Sequence, residues 1–265
     1  MNWSRAKTIL IVLFVCSNLF LLSIILTSNN TKKTSDSVTD AAIQLMQSNG
    51  ITVDVNILKG LPTKTHIPEL ESVTADRESF IKAVLGAEYK ADGDTYSSDK
   101  GTLYLNENYF ELIPSEKHSV SSRNSSTTAQ KSLSLVGIKD KNLVSDMKIS
   151  DTGNYTLHIS KRKGNMHIFC SSIDAVISEH RIQKVSGSWF SETGENSSET
   201  ALTPVLSLLT DYALHNNDGE KSVTAVLCGY FIPDNKSASG KFYPTPSIKV
   251  FFLDGSEAYI PSAES

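Results

Sequence analysis

Charge is missing from the start of this chain: no Asp, Glu, Lys or Arg stands between Lys7 and Lys32. A solvated surface segment does not go so long without one, so this stretch is excluded as ordinary loop or exposed helix. Cysteine is scarce, with three in 265 residues, and Cys16 lies inside the uncharged run. That leaves Cys170 and Cys228 and excludes a fold held by a disulfide framework. Basic residues do not predominate either. The formal net charge is −4, with no Lys/Arg stripe interleaved with aromatics, which argues against nucleic-acid binding.

The common catalytic signatures are absent too. There is no G-x-S-x-G, H-E-x-x-H, P-loop, G-x-G-x-x-G or C-x-x-C. The expectation is therefore a non-enzymatic protein with no catalytic residues, no cofactor and no metal.

What the chain does have is apolar length. From Ile9 to Leu26, eighteen residues include only Ser17, Asn18 and Ser23 as clearly polar ones. As a helix rising about 1.5 Å per residue, that run is roughly 27 Å long, close to the hydrocarbon core of a bilayer. A cleaved signal peptide would show a shorter run and a small-x-small site after it. Here Thr27-Ser28-Asn29-Asn30-Thr31 follows. Cys16 comes after Val15 and before more apolar residues, which does not suit lipidation. An uncleaved single-pass anchor is expected, with cleavage near Ser28 as the alternative. Arg5 and Lys7 precede the run and Lys32 and Lys33 follow it, the latter pair partly offset by Asp36 and Asp40. The preferred orientation puts the N-terminus inside the cell and the body outside.

Within the span, Asn18 is the informative residue, because an amide in hydrocarbon gains from a hydrogen-bonding partner, by roughly 0.6–2 kcal/mol. Ile11, Phe14, Asn18, Leu22 and Ile25 recur at helical spacing and could form one packing face.

These residues resemble a family. Trp3-Ser4-x-x-Lys7-Thr8-Ile9 followed by Asn18-x-Phe20-Leu21 is similar to the N-terminus of the YycI regulatory proteins. That resemblance implies a single-pass membrane protein of Gram-positive bacteria that acts, with a YycH-like partner, on a WalK-like sensor histidine kinase and so on cell-wall metabolism. It implies a partner-helix contact made by Trp3, Lys7, Ile11, Phe14, Asn18, Leu22 and Ile25. The resemblance returns near the C-terminus, in Gly229-Tyr230, Pro244 to Pro246 and the Asp254-Gly255 turn with Tyr259-Ile260. It departs where the family tends to carry a Trp after the proline and this chain has Ser247-Ile248.

The expected fold class is α+β: one transmembrane helix, then two tandem small units of antiparallel sheet with packed helices. The divisions are a cytoplasmic tail 1–8, the helix 9–28, a stalk 29–35, a first unit 36–113, a mobile Ser/Thr/Asn-rich connector 114–131 and a second unit 132–265. In the first unit, 36–48 reads as a helix and the alternating 51–57 as a strand. A helix over 76–85 closes at Gly86, and strands follow at 87–91, 101–105 and 109–113. A weak helix over 132–144 opens the second unit. Strands are then expected at 155–159, 166–170, 174–178 and 181–189, an apolar helix at 200–215, and strands at 222–232, 247–253 and 257–260.

Chemistry is sought where polar residues cluster. His158 and His167 are candidates to face each other across a hairpin with Cys170 beside them, but a zinc site there lacks a fourth ligand. Glu107, Glu111 and Glu116 stand near Tyr109 and Phe110 and read equally as a solvated strand face. Glu192, Glu195 and Glu199 read as a solvated acidic loop before the long helix. Cys170 and Cys228 fit one disulfide or two buried thiols, and their strand-like surroundings favour free thiols. The alternative to a kinase regulator is an anchored extracytoplasmic binding module for a cell-wall, peptide or lipid ligand.

Overall fold

A computed structural model describes residues 38–116, 118–120, 124–149, 154–195, 198–215, 219–232 and 241–262. The expected span and its partner-contact residues Trp3, Lys7, Ile11, Phe14, Asn18, Leu22 and Ile25 lie outside the described residues. Among the described residues no helix is long and apolar enough to cross a membrane. The class is α+β, with mostly antiparallel sheet and four α-helices among the described residues.

The chain divides into two units. The first comprises 38–53 and Leu209–Ser222. It holds α1 (38–48), β1 (Ile51–Thr52) and the C-terminal part of an apolar helix that starts at Val205. Asn49 and Gly50 end α1, and Gly50 takes φ +79°. Ile51 and Thr52 pair in parallel with Lys221 and Ser222. The alternating run expected as a strand to Ile57 stops there. Asp54 accepts from the Asn56 backbone N–H at 2.9 Å and starts a 3₁₀ turn over Val55–Leu58. A local Asx bond has overridden the period-two pattern.

The second unit comprises Asp54–Leu208 and the chain from Val223 onward. Its first strands are β2 (Lys64–Thr65) and β3 (Pro68–Ser72), followed by α2 (Arg77–Leu85). Asp76 caps α2 by accepting from Ser79 N at 3.1 Å, and Gly86 closes it at φ +90°. Phe80, Ile81, Val84 and Leu85 are buried, each contributing about 1.5–3 kcal/mol. Next come β4 (Lys90–Asp92), β5 (Thr95–Ser98), β6 (Gly101–Asn106), β7 (Tyr109–Pro114) and β8 (His118–Ser119).

Of the expected connector 114–131, residues 125–131 belong to helix α3 (Ser125–Leu135). Asn124 caps it, accepting from Thr127 N at 3.0 Å. Its buried face is Thr128, Ala129, Ser132 and Leu133. The Ser132 hydroxyl is satisfied by donating to the Thr128 carbonyl at 2.9 Å. Small residues that bond back to their own helix can be buried, which is why polarity alone misread this segment. The helix expected over 132–144 thus ends at Leu135, and Leu143–Ile149 is strand β9.

The remaining elements are β10 (Tyr155–Lys163), β11 (Met166–Ser178), β12 (Arg181–Ser188), β13 (Phe190–Glu195) and β14 (Thr200–Ala201). Helix α4 (Val205–His215) follows, then β15 (Lys221–Phe231), β16 (Lys241–Phe242), β17 (Thr245–Phe252) and β18 (Glu257–Pro261). The helix expected from Thr200 therefore starts only after Pro204.

The main sheet runs β18-β17-β15-β11-β12-β7-β6-β5-β4, and β10 joins β11 to β9. Val185 of β12 pairs with Leu112 of β7, so strands on both sides of the expected connector share one sheet. α2 and α3 bury their apolar faces with Leu103, Phe110, Leu157 and Trp189 in one cluster. A smaller sheet, β13-β3-β16, is fastened by Glu69. That carboxylate accepts from Thr193 at 2.8 Å and Tyr243 at 3.0 Å, and pairs with Lys241 at 2.9 Å.

Candidate functional site

The site begins with an irregularity in β11. At its start, His167 and Ile168 pair with Arg162 and Lys161 of β10, and on the other side lie parallel to Gly229 and Tyr230 of β15. From Ser172 onward β11 runs between β10 and β12. Ser160 pairs with Ser172 while Lys161 pairs with Ile168, so Phe169, Cys170 and Ser171 form an inserted bulge.

The bulge is anchored from below. Ser171 Oγ accepts from Phe190 N at 3.0 Å, and Lys161 Nζ donates to Phe190 O at 3.2 Å. Lys161 is only 4 % exposed, yet it lies 3.0 Å from Asp140 and 3.6 Å from Glu192. A buried ammonium is tolerated here because carboxylates and a carbonyl receive its donors. Burial pushes the thiol of Cys170 up to about 12 and that of Cys228 up to about 11, and both cysteines are free. Neither is a ready thiolate.

Above the bulge, the Phe169 ring lies nearly parallel to His167, at 6.1 Å and 8°, and meets the edge of Tyr259 at 5.4 Å. It has room because β15 carries a glycine. A Cβ on Gly229 would stand 2.3 Å from the His167 carbonyl oxygen and 2.7 Å from the Phe169 ring. The next residue, Tyr230, is buried, and its hydroxyl donates to the His66 carbonyl at 2.9 Å and contacts Thr65.

The result is a groove of about 470 Å³ crossing β9, β10, β11, β15, β17 and β18, a volume within the range of small-ligand pockets. Its most organised wall is Lys249 on β17. The ammonium lies 5.0 Å from the centroid of Phe251, 4.9 Å from that of Tyr259 and 2.9 Å from Glu257. Burial works against its charge, but Tyr259 and Glu257 more than compensate, and its pKa is raised. On the opposite side, His158 Nδ1 lies 2.8 Å from Asp174 Oδ1, its cross-strand partner. That hydrogen bond holds the Asp174 carboxyl below its ordinary value. Between the walls sits His167. Burial first, then the positive charges of Arg162 and Lys249, lower its pKa and favour the neutral ring.

The two histidines do line one groove, but they are not opposed: His158 pairs with Asp174 and His167 with Arg162. Cys170 sits in the bulge, and no group of His, Cys, Asp and Glu suited to a metal ion occurs among the described residues. The carboxylates are dispersed. Glu111 pairs with Lys184 at 3.1 Å, Glu107 takes φ +41° at the β6–β7 turn, and Glu116 follows β7 outside the groove lining. Glu192 pairs with Lys163 at 3.0 Å and Glu199 with Lys64 at 3.2 Å, whereas the Glu195 side chain lies outside the described residues. Lys249, Tyr259 and Phe169 were missed from sequence. The one signal for Lys249 and Tyr259 is the alternation Lys249-x-Phe251 and Glu257-x-Tyr259 around the Asp254-Gly255 turn, which puts these side chains on one face.

No family model and no curated protein matches this chain. Among solved structures, it is similar to an uncharacterized protein from Eubacterium rectale ATCC 33656. That likeness has a TM-score of 0.47 at 10 % identity and covers 80 % of this chain and 86 % of the other. It is also similar to YycH from Bacillus subtilis, with a TM-score of 0.45 at 13 % identity, covering 74 % of this chain and 52 % of that one.

Proposed function

We propose that this chain is a non-enzymatic regulator, anchored by one helix in the cell membrane, that modulates a WalK-like sensor histidine kinase and thereby cell-wall metabolism. The observation that carries this reading is Trp3-Ser4-x-x-Lys7-Thr8-Ile9 directly before an uncharged run containing Asn18, the pattern that resembles the YycI proteins. On this reading the N-terminus is cytoplasmic, the body is extracytoplasmic, and a YycH-like protein shares the assembly. The span acts as a contact surface as well as an anchor. Shifting helix packing by a few kcal/mol is enough to change the population of kinase states.

The test is co-purification of the full chain with a WalK-like kinase from neutral detergent, together with kinase output when the chain is deleted. Retention on the kinase and altered output are expected. Asn18→Leu should leave insertion intact and weaken retention. No association and unchanged output would overturn the proposal.

The groove favours a second reading, an anchored binding module whose body takes a small ligand. The two are compatible, since a ligand on the outer body can bias the helix contact. A ligand-dependent rise in melting temperature of the full chain is its discriminating measurement.

A further inference from the structure

We infer that the free edge of β9 is an interface at which two copies of this chain pair antiparallel, Asp146 of each standing opposite Lys148 of the other. This goes beyond the regulator reading and does not depend on it.

Among the described residues β9, with seven residues, is the longest strand of the main sheet that is paired along one side only. Its phase is set by the Asn142 carbonyl, which accepts from the Arg162 N–H of β10 at 2.9 Å. Backbone groups alternate along an antiparallel strand, so Leu143, Ser145, Met147 and Ile149 turn theirs outward. Met147 agrees, its N–H donating to the Asp146 carboxylate at 2.9 Å. An exposed row of this kind is a template for another strand. The other ends of the sheet are guarded. β4 has three residues and β8 two. In β18 the Ser262 N–H bonds to the Pro246 carbonyl at 2.8 Å, which turns Pro261, without an N–H, to the outside.

The side chains name the partner. Asp146 and Lys148 are both exposed and, two residues apart, share one face of the strand. When two β9 edges meet antiparallel, outward residues must oppose outward residues. With Met147 opposite Met147, Asp146 meets Lys148 twice, each time in a non-hydrogen-bonded position where side chains come closest. One register step to either side sets Asp146 against Asp146 or Lys148 against Lys148. The two charges thus turn away a strand that lacks the complementary pair and admit a second copy in one register. That register also places Ile149, 77 % exposed, opposite Ser145. On pairing, Lys148 of the second copy takes the Asp146 carboxylate, and the Met147 N–H passes to the facing Met147 carbonyl. Each bond given up is replaced.

The test is sedimentation velocity of the full chain in neutral detergent over a concentration series, with Asp146→Lys and Lys148→Asp beside the parent. The parent should show a reversible monomer–dimer equilibrium. Each variant alone opposes like charges at both pairs and should dissociate about tenfold more readily. Mixed together, the two variants again set acid against base, so a tagged copy of one should retain the other. The double exchange D146K/K148D should likewise pair as the parent does. A contact made elsewhere along the chain would not follow this reciprocal pattern. Both substitutions change exposed side chains, and unchanged melting curves check that the fold is kept. A monomeric parent, single variants that associate as the parent does, or a mixture that stays apart would overturn the inference. No kinase is present, so failure here is separable from failure of the regulator proposal.

Discussion

Gly229 and Phe169 share one volume: a Cβ on Gly229 would lie 2.7 Å from the Phe169 ring. This close approach lets β11 run beside β15 while its bulge turns an aromatic ring into the groove. Gly229→Ala must therefore move both the ring and the backbone, because the same Cβ would stand 2.3 Å from the His167 carbonyl oxygen. We expect a loss of about 1–3 kcal/mol, read as a lower denaturant midpoint. An unchanged midpoint would show that the strands separate freely here.

Lys161 makes a second, stronger prediction. It is buried against Asp140, Glu192 and the Phe190 carbonyl. Lys161→Ala leaves the Asp140 carboxylate, whose side chain is 15 % exposed, without its partner. Breaking a buried pair from one side costs about 3–5 kcal/mol, so this variant should be among the least stable. Urea unfolding is the measurement, and a cost below about 1 kcal/mol would mean that water replaces the ammonium.

Tyr155 predicts the opposite sign. Its hydroxyl is buried and has no hydrogen-bond partner among the described residues. Tyr155→Phe removes an unsatisfied polar group and keeps the ring, so stability should hold or rise by up to about 1 kcal/mol. A clear loss in thermal unfolding would reveal a partner for that oxygen.

Glu69 sets an acid limit. Hydrogen bonds from Lys241, Thr193 and Tyr243 lower its pKa from 4.5 to about 2. Between those values the unfolded chain binds the proton and the folded one does not, so folding weakens as pH falls through this window. The contribution is fully present above pH 4.5. Melting temperature followed from pH 6 to about 2 should fall less steeply in Glu69→Gln than in the parent chain. Parallel curves would remove Glu69 as the fastening of β3 to β16.

Much of the secondary structure is legible locally. α2 follows from Asp76, its apolar spacing and Gly86, and the β17–β18 hairpin follows from two alternating runs around Asp254-Gly255. The failures have local physical causes as well. Asp54 ended the first alternating strand with a side-chain bond, and α3 buried small hydroxyl residues that read as solvated. In the groove, His158 and His167 were visible as candidates, but Lys249 and Phe169 were not.

The sequence by itself determined which segments are strands or helices over most of the body, and which residues along each strand share a face. It did so because alternation and capping act within a few residues. Beyond the hairpins, the tertiary structure alone decided which strands are neighbours. β11 trades β15 for β12 across an inserted Phe169-Cys170-Ser171, and that exchange brings Lys249, His167 and Arg162 to one place. Pairing over such distances depends on a bulge and on the missing side chain of Gly229, and neither has a period to read.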